Sequence, residues 1–503
     1  MNELAAESRA QHGAVELVQS LFVGGAFGSR GSLTQRAAIV ALAARKTGRP
    51  LKLMTSRSEG FTIATYRAET RHRIKLGASP TGTLVSLSHE GWKVTSRPDD
   101  YMVAGTDAST RLYACPNVWS RVSIVHADRN TPGFMRSPPE TAYIFALECA
   151  MDELAHSLKI DPVQLRKIND TKIEPIKHLP YTSRSLIECF DAAAKSFGWH
   201  RRDPHPGSMR DGEWLIGWGT AATMYPSQIA PATARVMLHP DGSAKVQTAT
   251  HEIGNGVITV RALVVADRLG VDPERVRAEI GDSALPPSPV AGGSNSTASL
   301  SNVIAKACDE ISEKKRNGAN GVIEAYAENI PHGAPANGIR ELYEGHSRIT
   351  GGTHGKDHIA FAFGAQFVEV RVHRLTREIR VPRAVGAFAA GTIVNPTTAR
   401  SQLMGGMIWG ISAALHEKTE IDPRTARYVN KNLAEYLIPV NADVPDIEAI
   451  IVPETDRIVN PLGIKGIGEL GNVGMSAAVV NAVFHATGIR VREFPVRLEQ
   501  LLA

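Results

Sequence analysis

The chain has 503 residues, 43% hydrophobic and 21% charged, with a formal net charge of +5. That length exceeds what one hydrophobic core supports, so two or more packed units are expected, and the composition is that of a globular protein. Lys and Arg are scattered without interleaved aromatics, which argues against a nucleic-acid binder, and no stretch approaches the ~18 apolar residues of a membrane-spanning helix. The first 13 residues lack a basic region followed by an apolar one, so no export signal is expected.

In chain order, residues 17–23 read as a strand, Gly24-Gly25-Ala26-Phe27-Gly28-Ser29-Arg30 as a glycine loop, and residues 34–46 as a helix. Three hairpins follow: residues 73–92 around Ser79-Pro80-Thr81-Gly82, residues 234–249 around Pro240-Asp241-Gly242, and residues 367–388 around Leu375-Thr376. Between them, Ile144, Leu147, Met151, Leu154 and Leu158 share one helical face. Asp161-Pro162 opens a second helix with an N-cap and a proline at N1, and Val260, Leu263, Val264 and Leu269 mark a third, closed by Gly270. The polar, aperiodic stretch 200–213 places a domain boundary between residues 199 and 200, and residues 330–358 read as a long loop. The echo of residues 158–162 in 269–273 is too short for an internal repeat. The four cysteines, Cys115, Cys149, Cys189 and Cys308, form no CxxC pair and read as buried thiols in a reducing, cytoplasmic setting. Neither an iron–sulfur cluster nor a zinc finger is expected in this chain.

Four loops combine small residues, apolar flanks and one or two polar groups: Gly24 to Arg30, Phe134-Met135-Arg136-Ser137-Pro138-Pro139, His251-Glu252-Ile253-Gly254-Asn255-Gly256, and Gly292-Gly293-Ser294 onward to Ser299. Glycines let backbone N–H groups approach an anion, and a following helix adds its positive end, which suits a phosphate-bearing cofactor. Neither a GxGxxG nor a Walker A pattern is present in the first. Arg136, before two prolines, reads either as a rigid bidentate donor to an oxyanion or as a helix-start partner of Glu140. His251-Glu252 reads as strand-end polarity. A fifth loop, Gly463-Ile464-Lys465-Gly466-Ile467-Gly468-Glu469-Leu470-Gly471, holds one carboxylate among small and apolar neighbours. Low polarity there would raise the Glu469 pKa toward the range of a general base, and the alternative is an ordinary glycine turn.

Taken together and in order, these loops resemble the molybdenum-binding subunit of the xanthine dehydrogenase/aldehyde oxidase family. Residues 24–30 resemble its GGGFG(S/G)K loop, residues 134–139 its FRAPG or FRGFG loop, and residues 147–155 its LE-x-x-MDELA helix. Gly254-Asn255-Gly256 stands where GQG is usual, residues 292–299 resemble GGS-x-x-TAS, Asn395-Pro396 with Arg400-Ser401-Gln402 resembles NP-x-x-ARSQ, and residues 463–469 resemble GAKGVGE. The wording is nearest that of bacterial aldehyde oxidoreductase subunits.

The resemblance implies an α+β fold of two molybdenum-cofactor-binding domains, 1–199 and 200–503, with the cofactor between them. It implies a molybdenum–molybdopterin cytosine dinucleotide, with iron–sulfur clusters and FAD on partner chains. The cofactor-binding residues implied are Gly25, Ala26, Phe27, Gly28, Arg136, Gly254, Asn255, Gly256, Ser294, Ala298, Ser299, Lys465 and Gly466. Molybdenum is held by the pterin and by no protein side chain. Glu469 corresponds to the catalytic glutamate that deprotonates the metal-bound oxygen nucleophile.

Four departures shape the expectation. Gly31 replaces the second glutamate of purine oxidisers, and Ser137 replaces the cysteine of copper-containing carbon monoxide dehydrogenases, leaving aldehydes or N-heteroaromatics. Asn255 is shorter than the usual glutamine. Gly24 also follows just 23 residues, where family subunits have a small α+β domain and the first half of a cofactor domain. A separate chain is expected to supply that part, or else the chain is a truncated scaffold. An export signal on a partner would place the complex in the periplasm.

Overall fold

The computed structural model describes residues 23–31, 35–346, 349 and 356–502. The strand expected over residues 17–23 falls almost wholly outside them. The three hairpins form where alternation and turn residues place them. Thr70–Ala78 pairs antiparallel with Leu84–Ser96, Ala232–Leu238 with Ala244–Gln247, and Phe361–His373 with Ile379–Ala389.

Each hairpin is the nucleus of a larger sheet. Val118–Ala127 joins the first in parallel, giving three strands. Val276–Glu279 and Ile323–Asn329 flank the second, giving four. Trp214–Pro226 and Asp446–Ile451 flank the third, and the Arg210–Asp211 edge makes five. The polar stretch after residue 199 therefore ends in a tight turn that supplies an edge strand. Within residues 330–358, Gly338–Tyr343 is a short helix.

Phe361–His373 lies at the centre of the five-stranded sheet and is buried almost throughout, which is why its sequence is nearly continuously apolar. Helix Met475–Thr487 packs against Trp214–Pro226, and the contact demands glycine. A Cβ at Gly217 would stand 1.9 Å from the Ala482 carbonyl oxygen, and one at Gly219 would stand 2.1 Å from that of Ala478. Helix Leu186–Phe197 covers the same sheet, with Phe197 against Trp218 and Phe367. One hydrophobic core joins these elements to helix Glu140–Leu158, and a second lies between the four-stranded sheet and helices Val257–Leu269 and Ser296–Arg316.

The echoed segments share a local device. Lys159 and Gly270 each end a helix in the left-handed conformation, and Asp161 and Asp272 then cap the next turn. All four cysteines are buried and unpaired. Among the described residues no helix is long and apolar enough to cross a membrane.

A buried polar cluster pins helix Glu140–Leu158 to the five-stranded sheet. Glu148 accepts from Arg166 Nε at 2.7 Å, from the Tyr113 hydroxyl at 2.6 Å and from the Ala222 backbone N–H at 2.7 Å. Arg166 also donates to the Pro162 and Glu148 carbonyls, so both charged groups are satisfied although neither is exposed. Replacing one partner strands the other charge in the core. Arg166→Met is therefore expected to destabilise the fold by about 3–5 kcal/mol, read as a lower denaturant midpoint. An unchanged midpoint would show that the pair is not what fixes this helix.

Candidate active site

Three loops distant in sequence are tied at Glu469. The Ser137 N–H donates to Glu469 Oε1 at 2.8 Å, Ser137 Oγ donates to the Glu469 carbonyl at 2.9 Å, and Ser294 Oγ donates to Glu469 Oε2 at 2.9 Å. The Tyr225 hydroxyl is hydrogen-bonded to the same carboxylate. Arg136 completes the clamp, with Nε on the Gly468 carbonyl at 2.8 Å and Nη2 on the Gln402 carbonyl at 2.7 Å. Ser137 and Ser294 both have positive φ, a strained conformation that these contacts hold in place.

The glycine loop docks on the same clamp. The Arg136 N–H donates to the Phe27 carbonyl at 2.7 Å, and the Phe27 ring meets Trp409 edge-on at 5.0 Å. Gly28, at φ 108°, lies so close to residue 134 that a Cβ would stand 2.8 Å from its carbonyl carbon. No other residue fits there.

These loops line a cavity of about 570 Å³. Its wall includes the starts of two long helices, at Ser296 and Thr297 and at Asn395, Thr398 and Ala399. Asn295 leaves the first of these without a side-chain cap, and neither has an acid in its first turn. A third helix, Val257–Leu269, starts beside the cavity, but Glu252 already occupies its N-terminus by accepting from the N–H groups of Gly254, Gly256 and Ile258. That grip turns Asn255 to the cavity, where its buried Oδ1 has no hydrogen-bond partner.

Two molybdopterin cofactor-binding domain families match the chain, one over residues 4–170 and the other over residues 192–445. Over 495 residues it is 39% identical to the aldehyde oxidoreductase molybdenum-binding subunit PaoC of Escherichia coli O157:H7, covering 96% of this chain and 67% of that subunit. The chain belongs to the family of molybdenum-binding subunits of aldehyde oxidoreductases and xanthine dehydrogenases. It is also 28% identical to the xanthine dehydrogenase molybdenum-binding subunit of the same organism, over 95% of this chain and 68% of that one. Its fold matches the crystal structure of the aldehyde oxidoreductase from Desulfovibrio desulfuricans with a TM-score of 0.81 at 22% identity, over 98% of this chain and 55% of that chain. The chain thus spans about two thirds of the length of these curated relatives and about half of the solved structure.

The family's molybdopterin group suits this cavity on physical grounds. An uncapped helix start offers N–H donors to a phosphate, Asn255 offers an unused acceptor, and the glycines leave room for backbone approach. Gly254, for example, has nothing within 4 Å of where its Cβ would be.

Most residues expected at the cofactor line the cavity: Gly25, Ala26, Phe27 and Gly28 on one side, Gly254, Asn255 and Ser294 on another, and Lys465, Gly466 and Glu469 with Arg136 on the third. Three expected residues do not line it. Gly256 backs onto the Thr398 side chain, Ala298 is buried in its helix, and Ser299 Oγ is spent on the Ala230 N–H and on Asn295. Helical rotation carries positions 298 and 299 away from the cavity, which the loop wording did not reveal. Lys465 reaches it without its charge, because its buried ammonium lies 3.0 Å from both Glu454 and Asp456. Arg136 neither pairs with Glu140 nor presents a free fork, since two of its donors hold backbone carbonyls.

Glu469 is not the isolated acid its local sequence suggests, since its donors come from segments far along the chain. The sequence did not reveal Ser137, Tyr225 or Gln402 as contact residues, the bond from Ser294 to Glu469, or Glu252 as a loop anchor. Burial, opposed by the Glu469 carboxylate, brings the Arg136 guanidinium down to about 10. The Tyr225 hydroxyl is pushed up by burial and by Glu469.

Arg136→Met leaves two carbonyls without their charged donor, a loss of about 1.5–3 kcal/mol per bond. Amide exchange over residues 466–470 is expected to quicken about ten- to a hundredfold. Unchanged exchange would show that the loop is held by other contacts.

Proposed function

We propose that this chain is the molybdenum-bearing part of a hydroxylase that oxidises apolar aldehydes to carboxylic acids with water-derived oxygen. The observation that carries the reading is the Glu469 carboxylate, fixed at the cavity wall by donors from two other loops. The aldehyde oxidoreductase subunit PaoC, 39% identical, supports the substrate class. Two further observations favour aldehydes over the other substrates of such enzymes. Gly31 lines the cavity without a side chain, so no carboxylate anchors a purine there, and Ser137 offers a hydroxyl already committed to the Glu469 carbonyl, so no thiolate is available for copper.

The bound group would be the cytosine dinucleotide form of molybdopterin, its phosphates at the Ser296 helix start and its pterin beside Asn255 and Ser294. When bound, it supplies two-electron redox chemistry. The chain orients, excludes water and moves a proton. Glu469 takes the proton of the attacking water-derived oxygen at Oε1 or Oε2, while Ser137 and Ser294 hold the carboxylate in place. Phe27, Val103, Phe134 and Pro138 offer the substrate an apolar wall.

Electrons would leave to partner subunits carrying iron–sulfur clusters and FAD. The two cofactor domains would divide between residues 199 and 200. Four unpaired, buried thiols support a cytoplasmic setting.

Glu469→Gln keeps the shape of the side chain and removes the base. Molybdenum content is expected to stay unchanged while kcat for aldehydes falls about 10²–10⁴-fold, measured by metal analysis and dye-linked turnover on one preparation. Loss of molybdenum, or unchanged turnover, would contradict the assigned role.

A further inference from the structure

A second carboxyl group lines the cavity. Glu140 opens helix Glu140–Leu158, is 7% exposed, and has Oε2 buried without a hydrogen-bond partner. Its own backbone N–H serves the carboxyl group, so the side chain folds back on its helix and leaves one oxygen unused. Val103, Phe134, Pro138, Pro139 and Tyr225 line the same cavity. A buried polar atom with no protein partner, set in an apolar wall, is a site for a ligand atom.

We propose that Glu140 binds the substrate as a neutral carboxylic acid, donating a hydrogen bond from Oε2 to the carbonyl oxygen of an apolar aldehyde. This rests on the aldehyde reading above.

The protonation state follows from the surroundings. The groups acting on Glu140 are Glu469, Arg67 and Lys93, with Tyr101 and Tyr225 also close. Burial and the Glu469 carboxylate disfavour a second negative charge, while the backbone N–H, Arg67 and Lys93 favour one. The first two prevail and push the group up to about 8. Arg67 is partly committed elsewhere, to the Arg136 and Ser137 carbonyls, and Lys93 donates to the Val103 carbonyl. At neutral pH Glu140 therefore carries a proton and Oε2 is a donor. Two carboxyl groups on one cavity wall thus divide the work, one accepting protons and the other donating a hydrogen bond.

The test is equilibrium binding of a non-oxidisable carbonyl probe, an apolar methyl ketone, to the full-length protein by calorimetry from pH 6 to pH 9. The native protein is expected to bind it below pH 8 and progressively less tightly above, as Oε2 loses its proton. Glu140→Gln keeps an uncharged donor and is expected to bind within about threefold of native with no fall above pH 8. Glu140→Leu is expected to bind about tenfold more weakly than native below pH 8, with a pH-independent affinity that the native protein approaches as Oε2 loses its proton. Equal, pH-independent binding by all three proteins would overturn the proposal, as would no binding by the native protein. Thermal unfolding of each variant separates a lost contact from a lost fold. The ketone needs no turnover, so a native protein that binds it with this pH dependence but oxidises no aldehyde would refute the reaction and leave the Glu140 contact standing.

Discussion

The arrangement depends on a clamp between two loops 332 residues apart, Arg136-Ser137 and Gly468-Glu469. A carboxylate on a glycine-rich loop has no fixed position of its own, because the flanking residues have little to pack with. Four contacts fix it: the Arg136 guanidinium on the Gly468 carbonyl, the Ser137 amide and hydroxyl on Glu469, and the Ser294 hydroxyl on the other carboxylate oxygen. The glycine loop at Phe27 then docks on the Arg136 N–H. Three walls of the cavity therefore share one set of hydrogen bonds.

Helix Glu140–Leu158 links that clamp to the core. Its first residue stands at the cavity, and two turns later Glu148 is anchored by Arg166 and the Ala222 N–H. A shift of the helix against the five-stranded sheet would move Glu140 and the Ser137 loop together. The buried ion pair is best understood as a positional device, since pairs of this kind add little net stability over apolar replacements. Helix Met475–Thr487, packed closely on Gly217 and Gly219 of the same sheet, braces helix Glu140–Leu158 as well, with Asn481 donating to the Glu148 carbonyl.

How legible this was in the sequence depended on the range of the interactions. Hairpins at residues 79–82, 240–242 and 375–376, and the Asp161-Pro162 helix start, rest on local turn and cap chemistry and could be read directly. The cavity-lining glycines were legible as a set because their order resembles a family, although each loop was ambiguous. Side-chain roles at the site were harder. Glu469 reads as solitary because its donors lie 332 and 175 residues away. Glu252 reads as strand-end polarity because nothing in its neighbours reveals three backbone N–H groups converging on it. Ala298 and Ser299 were placed at the cofactor by wording, and the helix beginning at Ser296 rotates them into the interior.

The proposed function requires this chain to hold molybdopterin in the cavity around the clamped Glu469. The most direct measurement is metal and pterin analysis of the protein purified after co-expression with its partner subunits. Stoichiometric molybdenum and pterin are expected in the folded protein. Folded protein free of both, recovered from cells that load other molybdenum enzymes, would contradict it.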